Sequence, residues 1–109
     1  MQNDFFNIQI EEGIATIWLD FKKEKMNIVS PSLIGNFNEV FELLNNDTTI
    51  KGGIIISAKP DFIAGADIKS FKAEKEGDFQ EISKEGHQIL NIIENSNKPI
   101  IAAIHGTCY

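Results

Sequence analysis

Two short runs of continuous apolar residues constrain this chain more than any other feature: Gly52-Gly53-Ile54-Ile55-Ile56-Ser57 and Ile100-Ile101-Ala102-Ala103-Ile104. Each has strand length and turn residues around it, the pattern of a strand covered on both faces. Between them, Asp78–Glu94 repeats apolar residues at helical spacing, with Phe79, Ile82, Ile89, Leu90 and Ile93 expected on the buried side. Gly86 weakens that helix locally, and Asn95–Lys98 followed by Pro99 closes it. Upstream, Ser30-Pro31 predicts a helix start, with serine at the N-cap and proline at the first helical position. Leu33, Ile34, Phe37, Val40, Phe41 and Leu44 then form one apolar stripe that ends at Asn45-Asn46-Asp47. Before it, Phe6–Glu11 and Ile14–Leu19 predict two strands joined as a hairpin around Glu12-Gly13, and the polar, lysine-rich stretch Phe21–Asn27 predicts a loop. The expected order is strand, strand, helix, strand, small-residue loop, helix, strand, an α/β arrangement without repeats or linkers. With nothing after its last strand, it reads as part of a larger fold.

Composition excludes several function classes. Sixteen acidic residues stand against ten basic ones, all lysine, for a formal charge of −6. That sign opposes phosphate backbones and argues against a nucleic-acid binder. Lysines gather at Lys22/Lys23/Lys25 and at Lys69/Lys72/Lys75, where solvated faces are the plain expectation. No apolar run approaches the roughly 20 residues of a membrane span. Met1-Gln2-Asn3-Asp4 carries neither a basic nor an apolar leader, so no signal peptide is expected. A lone cysteine, Cys108, fits a reducing cytoplasm and has no base placed near it by sequence, so an inert thiol is expected. His87 and His105 have no metal-ligand spacing with each other or with Cys108. His87 is expected at the surface or boundary of its helix, and His105 packed or hydrogen-bonded.

The segment Phe62-Ile63-Ala64-Gly65-Ala66-Asp67-Ile68 is the most informative. Three small residues stand between a buried strand and a short helix expected to begin near Asp67. Small side chains let a ligand approach the backbone, and an amide facing out at a helix start can donate to an anion or a polarised carbonyl. A tight turn capped by Asp67 explains the same residues, and by themselves they favour it. Neither G-x-G-x-x-G nor G-x-x-x-x-G-K-[ST] occurs, so nucleotide-binding fingerprints are not met.

Ala64-Gly65-Ala66-Asp67-Ile68-Lys69 resembles the A-G-A-D-[IL]-[KR] signature of the enoyl-CoA hydratase/isomerase (crotonase) family. Ile54–Pro60 before it and Lys98–Gly106 after it stand where that family has its preceding strand and its K-P-[IV]-I-A-A-[IV]-x-G segment. Lys25-Met26-Asn27, with Ile104-His105-Gly106 where most hydratases have N-G, looks closest to the hydratase module of multifunctional α subunits of fatty acid oxidation complexes. The resemblance covers nearly the whole chain. It implies the N-terminal portion, residues 1–109, of a single crotonase-type ββα spiral.

For chemistry, the resemblance implies a backbone N–H at Ala66 as one of two oxyanion donors to an acyl-CoA thioester. Donors of that kind are worth about 100–1000-fold in rate. Lys25, Met26, Ala64, Gly65, Ala66, Asp67, Ile68 and Lys69 would line the coenzyme A site, with Ala64 and Ala66 near the adenine end and Lys69 near the phosphates. Alignment on Asn27 can place Glu24 rather than Lys25 at the family's usual lysine. The second amide, in a G-G-G segment, and the two glutamates acting as general base and acid would follow Tyr109. Asp67 and Glu94 are not replacements for them, being explained as a cap and as a solvent-facing helix residue.

The implied parent enzyme hydrates trans-2-enoyl-CoA in fatty acid β-oxidation, or shifts a 3-enoyl double bond to position 2. It needs no cofactor beyond the coenzyme A of its substrate. NAD would serve only a 3-hydroxyacyl-CoA dehydrogenase region outside this chain, and a thiolase subunit is the implied partner of an oligomeric parent. The 109 residues alone are expected to be inactive. Other expectations are a weak coenzyme A binder and a self-associating piece whose sheet edge pairs with another copy.

Overall fold

The computed structural model describes residues 3–30, 32–65 and 78–109. Strand β1 (Phe6–Glu11) turns back through Glu12 and Gly13, both at positive φ (52° and 81°), into β2 (Ile14–Leu19). The pair is antiparallel with Phe6 opposite Leu19 and Glu11 opposite Ile14, the hairpin expected around Glu12-Gly13. Helix α1 (Leu33–Asn46) leads to β3 (Gly52–Ser57), and α2 (Asp78–Glu94) leads to β4 (Ile100–Ala103). Both crossings produce parallel pairs, β2 with β3 and β3 with β4, in one sheet of order β1-β2-β3-β4. Sequence order therefore equals spatial order, and the two helices, which contact each other, are the crossover connections.

The core forms between one sheet face and α1. Phe6, Ile8, Ala15, Ile17, Leu19 and Ile55 meet Leu33, Phe37, Val40, Phe41 and Leu44, and Ile89 of α2 joins them. Phe6 and Phe37 meet edge-on at 5.1 Å, and Phe37 stacks on Phe41 at 5.9 Å. The α1 stripe is buried as its spacing predicts, with Ile34 half-buried at its margin.

Lys98 ties α1 to the approach of β4. Its Nζ donates to the Leu44 carbonyl at 2.6 Å and to the Asp47 carbonyl, supplying a cation where the helix leaves its last carbonyls unpaired. Just beyond the helix, Asp47 accepts from Thr49 Oγ1 (2.6 Å) and Thr49 N (2.9 Å). Those bonds, the hydroxyl first, and then the Lys98 charge hold its carboxyl below the ordinary value.

Four expectations need correction. Helix α1 begins at Leu33 with Ser32, not Ser30, at the N-cap, and Ser32 makes no side-chain capping bond. The two hydroxyls instead lie 3.1 Å apart, with Leu33 N donating to the Ser30 carbonyl in a preceding turn. Pro31 lies outside the described residues. Leu90 is 62% exposed although it was expected on the buried side of α2, because it stands about 100° around the helix from the buried Ile89.

Strand β4 is not covered on both faces: Ile101 is 63% exposed, and Ile104, just past the strand, is 59% exposed. It pairs only with β3 among the described residues; Ile101 stands beside Ile54 on the face away from the core, and Ala102, beside the core residue Ile55, is exposed as well. Strand β3 shows the same asymmetry more mildly after its buried first residue, Gly52, with Gly53, Ile55 and Ser57 buried and Ile54 and Ile56 half-buried. Phe21–Asn27 is the expected loop, and Phe21 and Asn27 at its two ends are buried.

Candidate functional site

The loop leaving β3 is built by main-chain bonds on both of its sides. Ala64 N donates to the Asn27 carbonyl at 2.9 Å, and Val29 N donates to the Gly65 carbonyl at 2.8 Å. Opposite, Phe62 N lies 3.0 Å from both the His105 and Thr107 carbonyls, and Tyr109 N donates to the Ile63 carbonyl at 2.9 Å. A parallel bridge joins Ile63 and Cys108. Residues 62–65 are therefore hydrogen-bonded to residues 27–29 on one side and to residues 105–109 on the other.

Two glycines make this path available. Gly65 has φ +125°, a conformation that costs an L-residue about 1–3 kcal/mol, and no described residue lies within 4 Å of a would-be Cβ there. Gly106 has φ +63°, and a Cβ there would lie 2.4 Å from the Pro60 carbonyl oxygen and 2.7 Å from Asp61 Oδ1. That close approach lets Thr107 N reach Asp61 Oδ1 at 2.8 Å. His105 is exposed, and its Nε2 donates to the Lys59 carbonyl at 2.9 Å. His87 and Glu94 are exposed on α2, and Cys108 is an exposed free thiol.

The residue that sequence reasoning undervalued is Asn27. It is fully buried (0% exposed), and Nδ2 donates to Ser57 Oγ at 2.8 Å and to the Phe62 carbonyl at 3.0 Å. Its Oδ1 accepts from Phe21 N at 3.3 Å. Beside it, Lys59 Nζ donates to the Phe21 carbonyl at 2.5 Å and to the Glu24 carbonyl. An asparagine inside a lysine-rich stretch reads as solvated. Apart from lying between two apolar residues, Phe21 and Val29, nothing in the sequence marks it for burial.

Of the residues expected to hold an acyl-CoA, the structure places Ala64 and Gly65, half-buried, on the loop just described. Lys25 and Met26 are exposed on the neighbouring loop and lead directly into Asn27, whose carbonyl holds Ala64. Ala66, Asp67, Ile68 and Lys69 lie outside the described residues, as do the short helix expected near Asp67 and the Lys69/Lys72/Lys75 group. Of the other lysine group, Lys22, Lys23 and Lys25 are exposed, and Lys22 lies 3.7 Å from Asp20.

A cavity of about 420 Å³ opens beside the first loop, lined by Phe5, Phe21, Lys23, Ile28, Ser30 and Ser32 among others. Neither Ala64 nor Gly65 lines it, so it is distinct from the loop that carries the expected chemistry. Among the described residues no trio of His, Cys, Asp or Glu is placed to hold a metal. No helix among them is long and apolar enough to cross a membrane.

Comparison with known proteins gives a consistent outcome. The family profile described as enoyl-CoA hydratase/isomerase matches residues 9–109. The chain is 36% identical over 110 residues to the fatty acid oxidation complex subunit alpha of Shewanella sp. (strain ANA-3), covering 99% of this chain and 16% of that protein. It is 38% identical over 100 residues to the subunit of the same name from Shewanella oneidensis, covering 90% and 14% respectively. Among solved structures, it superimposes on an enoyl-CoA hydratase/carnithine racemase from Magnetospirillum magneticum with TM-score 0.82 at 26% identity, over 96% of this chain and 40% of that one. An enoyl-CoA hydratase from Bacillus anthracis shares the fold with TM-score 0.79 at 21% identity, over 93% and 40%. The chain thus spans about one sixth of the curated relatives and about two fifths of the structural ones.

Proposed function

Because the chain belongs to the enoyl-CoA hydratase/isomerase family, we propose that it is the N-terminal portion of a domain that grips the thioester of an acyl-CoA with the backbone N–H of Ala66. One observation carries this reading: the Gly65 carbonyl is held by Val29 N at 2.8 Å. A trans peptide is a rigid plane in which the N–H points opposite to the preceding C=O. With the Gly65 carbonyl anchored on Val29 N, this reading requires the N–H that follows it to face away from residues 27–29. A fixed donor of that kind stabilises charge developing on a carbonyl oxygen without reorganising during reaction.

On this reading Ala64 and Gly65, with Asp67, Ile68 and Lys69, line the coenzyme A path, and Lys25 and Met26 flank it from the first loop. The reaction is addition of water to trans-2-enoyl-CoA, one of the activities in the family's description, and the names of the Shewanella relatives support its place in fatty acid oxidation. Coenzyme A enters as part of the substrate. NAD belongs to a dehydrogenase region outside these 109 residues, and a thiolase subunit is the partner of the whole protein. The general base and acid are glutamates that follow Tyr109 in the parent, so the 109 residues bind and polarise but do not move protons.

Calorimetric titration with crotonyl-CoA, run beside a spectrophotometric assay for loss of the conjugated enoyl absorbance, tests this. The expected result is saturable binding to the 109-residue chain without turnover. Absence of binding, or turnover near that of an intact hydratase, contradicts it. A second reading, self-association through β4, is favoured by the exposure of Ile101 and Ile104 beside an edge unpaired among the described residues.

A further inference from the structure

We propose that Asn27 is a positioning residue for the thioester-polarising loop: its buried side-chain amide locks residues 27–29 to the end of β3, and residues 27–29 in turn fix the peptide planes of Ala64 and Gly65. The inference rests on the reading of Ala66 given above.

Asn27 is the only polar side chain among the described residues with no exposed surface, and it sits where three segments converge. Its two Nδ2 hydrogens have short partners in Ser57 Oγ (2.8 Å) on β3 and the Phe62 carbonyl (3.0 Å) on the loop. Its Oδ1 takes Phe21 N from the first loop. Ser57 Oγ, 4% exposed as a residue, also accepts from Lys59 N at 2.9 Å, so this hydroxyl is itself fixed. A buried amide whose donors are all engaged has one orientation, because any rotation strands a polar group away from water.

The main chain of the same residue carries that rigidity onward. The Asn27 carbonyl holds Ala64 N, and two residues later Val29 N holds the Gly65 carbonyl. The side chain thus grips Phe62 while the backbone beside it grips Ala64 and Gly65. Residues 62–65 are anchored at three successive points to one short segment, and that segment is anchored to the sheet by one amide. Positioning of a donor to within a fraction of an ångström depends on such a supporting layer. Asn27 touches no reacting atom on this account, and its effect passes through the loop.

The test reads carbonyl polarisation directly. Crotonyl-CoA labelled with carbon-13 at the thioester carbonyl is titrated into the 109-residue chain, and the bound resonance is extrapolated to saturation so that changes in affinity drop out. In the wild-type chain the bound carbonyl is expected to move downfield of the free ligand. Asn27→Asp has the same size and keeps an acceptor for Phe21 N, but it presents an acceptor to the Phe62 carbonyl. It is expected to lose most of the downfield displacement while still binding.

Ser57→Ala removes one Nδ2 partner and is expected to lose part of it; this variant decides the matter if Asn27→Asp does not fold. Ile8→Val trims the core away from the loop and is expected to keep the full displacement. A folded Asn27→Asp chain with the wild-type bound resonance overturns the proposal. So does an Ile8→Val chain that loses the displacement, since polarisation would then follow general stability. A wild-type chain that binds crotonyl-CoA with no displacement overturns the thioester reading itself, and the role of Asn27 with it.

Discussion

Phe41→Ala is expected to lower the unfolding free energy by about 3–5 kcal/mol, the usual cost of emptying a large aromatic site in a core. Phe41 is 1% exposed and stacks on Phe37 at 5.9 Å with a 17° angle between the rings. Phe37 meets Phe6 edge-on, so the cavity would open in the chain of aromatics linking α1 to β1. Val40, Leu44 and Ile17 of the same core are each 1–2% exposed, and a core so closely packed leaves little room for collapse into the gap. A small domain has only about 5–15 kcal/mol in total, so the variant should unfold at a much lower urea concentration than the parent, followed by far-ultraviolet circular dichroism. A loss below about 1 kcal/mol, the cost of a surface change, would mean that α1 does not pack on the sheet as described.

A large effect is also expected from a single methyl group. Gly106→Ala places a Cβ 2.4 Å from the Pro60 carbonyl oxygen, 2.7 Å from Asp61 Oδ1 and 3.1 Å from Asp61 Cα. The first and last of these are backbone atoms that no rotamer change can move aside. Left-handed φ for alanine adds about 1–2 kcal/mol, and the forced overlap about 1–3 kcal/mol more. The strain falls on the bonds that hold the loop from one side, Thr107 N to Asp61 Oδ1 and Phe62 N to the carbonyls of residues 105 and 107. In urea unfolding the variant should lose about 2–5 kcal/mol by the same sum. Thermolysin cleavage near residues 58–62 should also become faster than in the parent. Unchanged stability would show that residues 105–109 do not lie against Pro60 and Asp61.

The elements whose causes are local were legible in the sequence. The hairpin follows from Glu12-Gly13, where glycine tolerates φ +81°, and the α1 stripe from the period of Leu33, Phe37, Val40, Phe41 and Leu44. The strand at Gly52–Ser57 and the helix at Asp78–Glu94 also lie where their patterns place them. Failures came where the cause is not local. Ser30 and Ser32 are two equivalent hydroxyls flanking one proline, and the turn that precedes the helix chooses between them. Ile101 and Ile104 are as apolar as Ile55, and nothing in the run states what stands opposite them.

The site shows the same division. Ala64-Gly65 is visible as a motif because small residues and positive φ leave a compositional trace. Asn27 leaves none: in a stretch with four charged neighbours, Lys22, Lys23, Glu24 and Lys25, an asparagine looks solvated. Its partners Ser57 and Phe62 lie 30 and 35 residues away. A polar residue that organises a site by long-range bonds is found only when the fold has brought those partners together.

Hydrogen exchange read by nuclear magnetic resonance reports on the Ala66 amide itself. The N–H of Ala66 should exchange rapidly in the free chain and become protected, with its proton signal moving downfield, when crotonyl-CoA is added. Slow exchange in the free chain, unaltered by crotonyl-CoA, would mean that this donor is already spent on a partner within the protein and is not available to a thioester.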